Sequence, residues 1–320
     1  MHILIIKTSS MGDIIHCLPV VNDILAHYPK AQIDWVVEDS FADIPRMHPS
    51  INQVISVAIR RWRKSILNKA TWNEINAFKH SLIQYDAVVD CQGLTKSALI
   101  SLLTKGIRHG FDWHSGRDPF ASLFYNRNYK VSLKQDAVSR NRALSALALG
   151  YAIPSSAPLY GVSNQPQATP KSLVLPSEYI VGLHGTSRDS KLWPIAHWIQ
   201  LGKKLAQKNL ILLLPWASNA EHQRANEISS KLDNAIVLPK LNISELASVI
   251  AQAQVAIGVD TGLTHLAAAL NIPTIALFTD SNPALNGVIA GENILAINLG
   301  NVAQVPTSDE VIQAYHQIMS

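Results

Sequence analysis

Short runs of Val, Ile and Leu, each followed by a longer stretch of helical periodicity, recur along the whole chain, and this alternation limits the fold more than any single motif does. Strands read at 3–6, 33–37, 54–57, 87–89 and 108–110, separated by helices at 14–26, 66–83, 94–103 and 137–149. A second series follows, with strands at 180–183, 210–214, 236–238, 256–259 and 274–277 and helices at 195–206, 220–231, 244–253 and 261–269. Strands that are apolar on both faces must be covered on both faces, and the helical connections between them return the chain to the same edge, so the sheets are parallel. The expected class is α/β: two Rossmann-like, doubly wound domains. A chain of 320 residues is long enough for both. Between the series, 158–176 is rich in Pro, Ser, Gln and Asn and lacks periodicity, which sets the domains at 1–165 and 166–320. A last helix at 308–319 is free to pack on either domain.

Composition excludes several classes. With 48% hydrophobic and 16% charged residues the chain can bury a core and is not disordered. No apolar run reaches the roughly 18–20 residues of a bilayer span, and residues 1–7 read as a first strand, not as a signal segment. The two cysteines, Cys17 and Cys91, have no metal-ligand spacing and imply no disulfide framework, which fits a reducing cytoplasm. Charge is uneven. Residues 1–170 hold 18 Lys/Arg against 12 Asp/Glu, net +6, and residues 171–320 hold 9 against 11, net −2. The positive half is expected to meet something anionic: nucleic acid, phosphate or an acidic sugar.

Open parallel sheets bind ligands beyond the carboxyl ends of their strands, so the loops there come first. After the first strand stands Lys7-Thr8-Ser9-Ser10-Met11-Gly12-Asp13. Gly12 permits a tight turn, and Asp13 at a helix start reads either as a cap or as a general base. The loop is neither G-x-G-x-x-G nor a Walker A sequence, which argues against a dinucleotide oxidoreductase. After the third strand, Arg60-Arg61-Trp62-Arg63-Lys64 places four cations in five positions: a clamp for a multiply anionic substrate, or a solvated basic face. Arg117, in a Gly-rich aromatic loop, is a further cation or a surface ion-pair partner.

In the second half, His184-Gly185-Thr186-Ser187-Arg188-Asp189-Ser190-Lys191 follows a strand and suits a diphosphate: hydroxyls and backbone to hydrogen-bond its oxygens, Lys191 for charge. A polar loop with a capping Ser fits the same letters. Asp260-Thr261-Gly262 ends another strand and enters a helix whose first N–H groups point at whatever lies beyond it. His265, one turn further, reads as a donor to a phosphate or ribose oxygen or as a core histidine. Glu221, early in a helix, reads as a ribose acceptor or as a first-turn Glu.

Taken together, Lys7–Asp13, the run at 59–64, Ser122-Leu123-Phe124-Tyr125-Asn126-Arg127, Lys191-Leu192-Trp193-Pro194 and Asp260-Thr261-Gly262-Leu263-Thr264-His265 resemble the lipopolysaccharide heptosyltransferases of glycosyltransferase family 9, over nearly the whole chain and in the same order. The Arg-Arg-Trp-Arg-Lys run and the 122–127 stretch resemble the members that add the first heptose. The resemblance implies a GT-B fold, two Rossmann-like domains facing across a cleft. It implies transfer of L-glycero-D-manno-heptose from ADP-heptose to a 3-deoxy-D-manno-octulosonic acid (Kdo) residue of Kdo-lipid A, with inversion, no cofactor, and no metal in the catalytic step. Asp13 is then the base and Lys191 the group that steadies the departing diphosphate. Thr186, Ser187, Glu221, Leu241, Asp260, Thr261, Gly262 and His265 complete the donor site. Lys7, Ser10, Met11, Gly12, Arg60, Arg61, Arg63, Lys64 and Arg117 face the acceptor.

Where family members often carry a Gly-Pro-Thr-Asp-Pro loop, this chain has Phe278-Thr279-Asp280-Ser281-Asn282-Pro283, with Asp280 as the candidate substitute carboxylate. Alternatives are a heptosyltransferase that uses another acceptor or adds the second heptose, and a non-catalytic nucleotide-sugar binding protein. A lipid acceptor implies a cytoplasmic protein at the inner face of the inner membrane; no nucleic-acid partner is expected, and a monomer is the expectation although the letters do not fix the oligomeric state. Contact is expected near Trp62 and 120–125, unless those aromatics are core.

Overall fold

The computed structural model describes residues 1–162, 170, 173–292 and 294–320. The chain divides into two compact units, Met1–Gly161 and Val162–Ser320; residue 165, where the sequence pattern sets the boundary, lies outside the described residues. In the first unit β1 (His2–Ile6), β2 (Gln32–Glu38), β3 (Ile51–Val57), β4 (Gln84–Asp90), β5 (Lys105–Phe111) and β6 (Arg127–Tyr129) form one parallel sheet in the order β3-β2-β1-β4-β5-β6. In the second, β7 (Tyr179–Leu183), β8 (Ile211–Leu214), β9 (Ala235–Val237), β10 (Val255–Val259), β11 (Thr274–Phe278) and β12 (Ala296–Gly300) form another in the order β12-β11-β10-β7-β8-β9. Renumbered within each unit, both orders are 3-2-1-4-5-6, the dinucleotide-fold order, in which the order of strand addition reverses between strands 1 and 4 while all strands stay parallel. The two switch points therefore lie between β1 and β4 and between β7 and β10.

The central strands are buried on both faces. Ile3, Leu4, Ile5 and Ile6 of β1 and Val255, Ala256, Ile257 and Val259 of β10 are all fully inaccessible. Two edge strands, β6 and β12, escape the apolar pattern because an edge is half-solvated; β6 reads Arg-Asn-Tyr and β12 is only partly buried. The helix expected over 14–26 is two helices, Met11–Ile15 and Pro19–His27. Pro19 lacks the N–H that a continuing helix would use, yet fits the first turn of a new one. The 66–83 helix shortens to Lys69–Ser81, where Asn68 Oδ1 accepts from Ala70 N at 2.9 Å, and a separate turn of helix covers Ile59–Trp62.

The last helix, Ser308–Met319, packs within the second unit: Val311, Ala314 and Tyr315 join Trp198, Leu201 and Leu205 in its core. The Trp193 indole donates to the Pro306 carbonyl at 2.7 Å just ahead of that helix. In the same unit Gly258 lets the helix Gly262–Ala269 lie directly on β10. A Cβ there would stand 2.2 Å from Thr264 Oγ1 and 2.8 Å from Leu183 Cβ, with Thr264 held by its bond to the Val259 carbonyl. Gly258→Ala is expected to cost about 1–3 kcal/mol of stability by overpacking, read as a lowered denaturation midpoint; an unchanged midpoint would show that the helix shifts freely.

Candidate active site

At the first switch point, the loop after β1 turns into the helix Met11–Ile15, and Asp13 closes a reciprocal cap: its Oδ2 accepts from the Ser10 N–H at 3.0 Å and the Ser10 hydroxyl at 3.1 Å. That satisfies part of the helix start and leaves the carboxylate available to Arg117, which grips it with both guanidinium nitrogens at 2.8 and 3.3 Å. The cap and the base readings thus concern one side chain that does both. Burial by itself would raise the Asp13 carboxyl; the charges of Lys7 and Arg117 and the bond from Ser10 outweigh it and hold the pKa at about 2. Because the folded value lies below the ordinary 3.8, this pairing stabilises the fold fully above about pH 4 and is lost as pH falls through 2. Asp13→Asn is expected to make stability less steeply dependent on pH between 4 and 2, measurable by denaturant titration; an unchanged slope would deny the coupling.

Lys7 is buried beneath this loop, its ammonium donating to the Cys91 carbonyl at 2.6 Å and reaching Asn141 Oδ1 at 3.4 Å. It acts on Asp13 through its charge. Ser10 is exposed and Met11 and Gly12 are partly so.

Sequence reasoning missed the residues after β4. Gln92 Oε1 accepts from the N–H groups of Thr8 and Ser9 at 2.9 and 3.0 Å, stitching the two switch-point loops together. Lys96 donates to Ser9 Oγ at 3.1 Å, and burial together with the charges of Arg60 and Arg63 lowers its pKa, partly offset by Glu38 and Asp13. Only their place at the neighbouring strand end would have signalled them.

Of the basic run, Arg60, Arg61, Arg63 and Lys64 are all exposed. Arg61 is engaged with Glu74 at 2.7 Å. The Arg60 guanidinium lies 5.8 Å from the Phe41 ring centroid, and Glu38 accepts from the Ile59 and Arg60 N–H groups, which anchors the start of the helix Ile59–Trp62 beside the sheet's carboxyl end.

At the second switch point, Lys191 Nζ meets Asp260 Oδ2 at 2.5 Å, and Ser281 Oγ donates to the same oxygen at 2.5 Å. His265 Nε2 stands 3.8 Å from Asp260 Oδ1, and the Thr186 hydroxyl donates to the Asp260 carbonyl at 3.2 Å. Burial opposes the Asp260 charge, but His265, Lys191 and Ser281 outweigh it and hold its carboxyl well below the usual range. Asp260 is thus a buried counter-ion that aims Lys191. The loop serine that reaches it is Ser281, whereas Asp280 is exposed. Thr261 precedes the helix Gly262–Ala269 without a side-chain cap, and Thr264 N–H bonds the Thr261 carbonyl, so an anion at this end would meet the N–H groups of Gly262 and Leu263. Ser187 is exposed and makes no part of the Lys191–Asp260 cluster.

Glu221 caps its own helix, its Oε2 accepting from Ala217 N and Ser218 N at 2.8 and 2.9 Å. Its other oxygen approaches Gly185 so closely that a Cβ there would fall 2.6 Å away, so Gly185 is needed for this carboxylate to reach the loop after β7. Beyond it, Trp216 stacks on His222 at 4.1 Å between ring centroids and donates to the Leu238 carbonyl at 2.7 Å. Leu241 is half-buried. Among the described residues, no group of three or more His, Cys, Asp or Glu side chains is placed to hold a metal ion.

Two six-stranded parallel sheets of dinucleotide-fold order, each with charged residues gathered at its switch point, define the GT-B class of glycosyltransferases. The chain belongs to glycosyltransferase family 9, the heptosyltransferases, whose family model matches residues 75–311. It is similar to lipopolysaccharide heptosyltransferase 1 of Pseudomonas aeruginosa, with 44% identity over 90% of this chain and 81% of that one. Among solved structures, E. coli heptosyltransferase WaaC with ADP is 41% identical and covers 99% of both chains with a TM-score of 0.89. The E. coli enzyme with ADP-2-deoxy-2-fluoro heptose is 39% identical, again covers 99% of both, and gives 0.86.

Proposed function

We propose that this chain moves L-glycero-D-manno-heptose from ADP-heptose to a Kdo residue of Kdo-lipid A in the synthesis of the lipopolysaccharide inner core, with inversion at the anomeric carbon. The observation that carries the reading is Asp13, an ionised carboxylate at a switch point, held in a two-pronged bond by an Arg that a substrate carboxylate can claim. As the acceptor hydroxyl oxygen bonds to the anomeric carbon, the bond from that carbon to the ADP oxygen breaks, and the hydroxyl proton passes to Asp13. Lys191 and the helix start at Thr261–Gly262 take up the charge that develops on the diphosphate, and Glu221 holds the ribose.

A carboxylate with a pKa of about 2 is a poor base. The acceptor's own anions relieve this: Lys7 stays in place, but a Kdo carboxylate that takes the Arg117 guanidinium removes one of the charges that lower the Asp13 carboxyl, and the pKa rises as the substrate arrives. Arg60, Arg63, Lys64 and Lys96 supply positive charge for the acceptor's remaining anions, in keeping with the net +6 of the first 170 residues. The acceptor is a lipid, so the protein works at the cytoplasmic face of the inner membrane; among the described residues no helix is long and apolar enough to cross one.

The test is the mass of the product formed from ADP-heptose and Kdo-lipid A, with ADP release followed alongside. One heptose gained by Kdo-lipid A and none by an acceptor already carrying heptose is the expected result. Transfer only to the heptosylated acceptor would overturn the acceptor assignment, and ADP binding without any transfer would overturn the catalytic one.

A further inference from the structure

The turn between the helices Ile59–Trp62 and Lys69–Ser81 exposes apolar side chains that the transfer reaction does not use. Leu67 is 98% exposed, Ile66 55% and Trp72 51%. The turn is nonetheless built: the Trp72 indole donates to the Ile66 carbonyl at 2.8 Å, Ser65 Oγ lies 3.0 Å from Thr71 Oγ1, and Ser65 Oγ donates to the Arg61 carbonyl at 3.0 Å. Beneath it Trp62 is partly buried, its ring 6.2 Å from that of Phe78 and packed on the core of the first sheet. Trp62, where membrane contact was expected, therefore supports the turn from inside, and the outer residues are Ile66, Leu67 and Trp72.

The charge around the turn is one-sided. Residues 60–74 hold Arg60, Arg61, Arg63, Lys64 and Lys69 against Glu74, five cations minus one carboxylate, net +4. Glu74 is itself occupied, accepting from Arg61 and from the Trp62 indole at 2.7 Å each. A rigid apolar tip ringed by Lys and Arg is the arrangement that enters the boundary between headgroups and acyl chains of an anionic bilayer: the apolar tip gains by leaving water and the cations by meeting anionic lipid. Another exposed apolar group, Trp113, Phe120 and Leu123, is interleaved in sequence with Asp112 and Asp118; of the cations near it, Arg117 is bound to Asp13 and Arg108 donates to the Phe124 carbonyl. Charge complementarity favours the first.

We infer that the turn carrying Ile66, Leu67 and Trp72 is the surface by which the first unit docks on an anionic phospholipid bilayer. The inference rests on the reading that the acceptor is a membrane lipid, and it names the residues that bring the chain to it. Docking is tested by co-sedimentation of the full chain with vesicles of phosphatidylcholine plus phosphatidylglycerol, and with vesicles of phosphatidylcholine alone. The expected results are binding to the anionic vesicles only, and a loss of about tenfold in that binding for the double variant Ile66→Ser, Leu67→Ser. Brominated lipid should quench part of the tryptophan emission of the parent chain and less of it in Trp72→Phe.

Turnover on a deacylated, water-soluble acceptor should be the same in parent and double variant, which also shows that the variant is folded. Equal vesicle binding by the double variant would overturn the proposal. So would a dimer of the parent chain, in the absence of vesicles, that the variant dissolves, since a second copy would then cover the patch. Failure of the parent chain to turn over the soluble acceptor would count against the functional reading and leave the vesicle result to be judged separately.

Discussion

Asp13→Ala is expected to reduce turnover by about 10²–10⁴-fold while leaving ADP affinity within about a factor of two, because a general base contributes at that level to the rate and its proton transfer belongs to the chemical step, not to nucleotide binding. Asp13→Asn should behave alike; it keeps the shape and the cap acceptor but has no basic oxygen. Arg117→Gln separates the two roles of the pair. If the acceptor takes Arg117 away from Asp13, removal of the guanidinium raises the acceptor KM, and it frees Asp13 from one of the charges that hold its pKa at about 2. The acid limb of the rate profile should then move upward in pH relative to the parent, since the carboxylate protonates at a higher pH once a neighbouring positive charge is gone. Kinetics from about pH 2 to 8 with parent and both variants read these effects, a range that takes in the parent's own acid limb. A parent-like turnover in Asp13→Ala would remove Asp13 from the chemistry, and an unmoved acid limb in Arg117→Gln would leave the pair a structural one.

Much of this site is legible in the letters, and what was not legible has a physical reason. Asp13, Lys191 and Asp260 stand at strand ends in a sequence whose strand–helix alternation already places those ends on the ligand side of a parallel sheet. The strand reversal that makes β1–β4 and β7–β10 the switch points needs the sheet order, and no local pattern carries it. Gln92 and Lys96 were therefore invisible: they follow a strand 80 or more residues from the loop they fasten, and a lone Gln or Lys has no motif. Ser281 was invisible for a related reason. Asp280 is the candidate carboxylate that the letters of that loop offer, yet a buried Asp260 already paired with Lys191 has room for a hydroxyl donor and none for a second like charge. Lys7 shows the opposite limit. Its letter reads as a ligand cation, but its burial and its bonds to Cys91 and Asn141 make it a fixed charge under the loop that carries Asp13. The basic run stands open in the letters between a substrate clamp and a solvated face, and its cations are exposed; Trp62 stands open between membrane contact and core, because one aromatic among four cations is decided only by the core beneath it, against which it packs.

Lys191 and Asp260 allow the second large effect to be resolved into rate and stability. The pair is largely buried, with Asp260 side-chain exposure of 9% and Lys191 of 21%. Asp260→Ala strands the Lys191 ammonium in a partly dry site and removes the acceptor of the Ser281 hydroxyl. Breaking a buried pair from one side costs on the order of 3–5 kcal/mol, and the partial exposure of Lys191 puts this case at the lower end. Lys191→Met leaves Asp260 with Ser281 and His265, so its stability cost should be the smaller. Its cost in rate should be the larger, about 10²–10³-fold, because the charge that meets the departing diphosphate is gone. Denaturant titration, ADP calorimetry and turnover on the two variants separate the roles: Asp260→Ala is expected to lose stability and ADP affinity together, and Lys191→Met to lose turnover beyond its loss of ADP affinity. Were Lys191→Met to weaken ADP binding and leave kcat untouched, Lys191 would serve ground-state binding alone, and stabilisation of the leaving group would pass to the N–H groups at Thr261–Gly262.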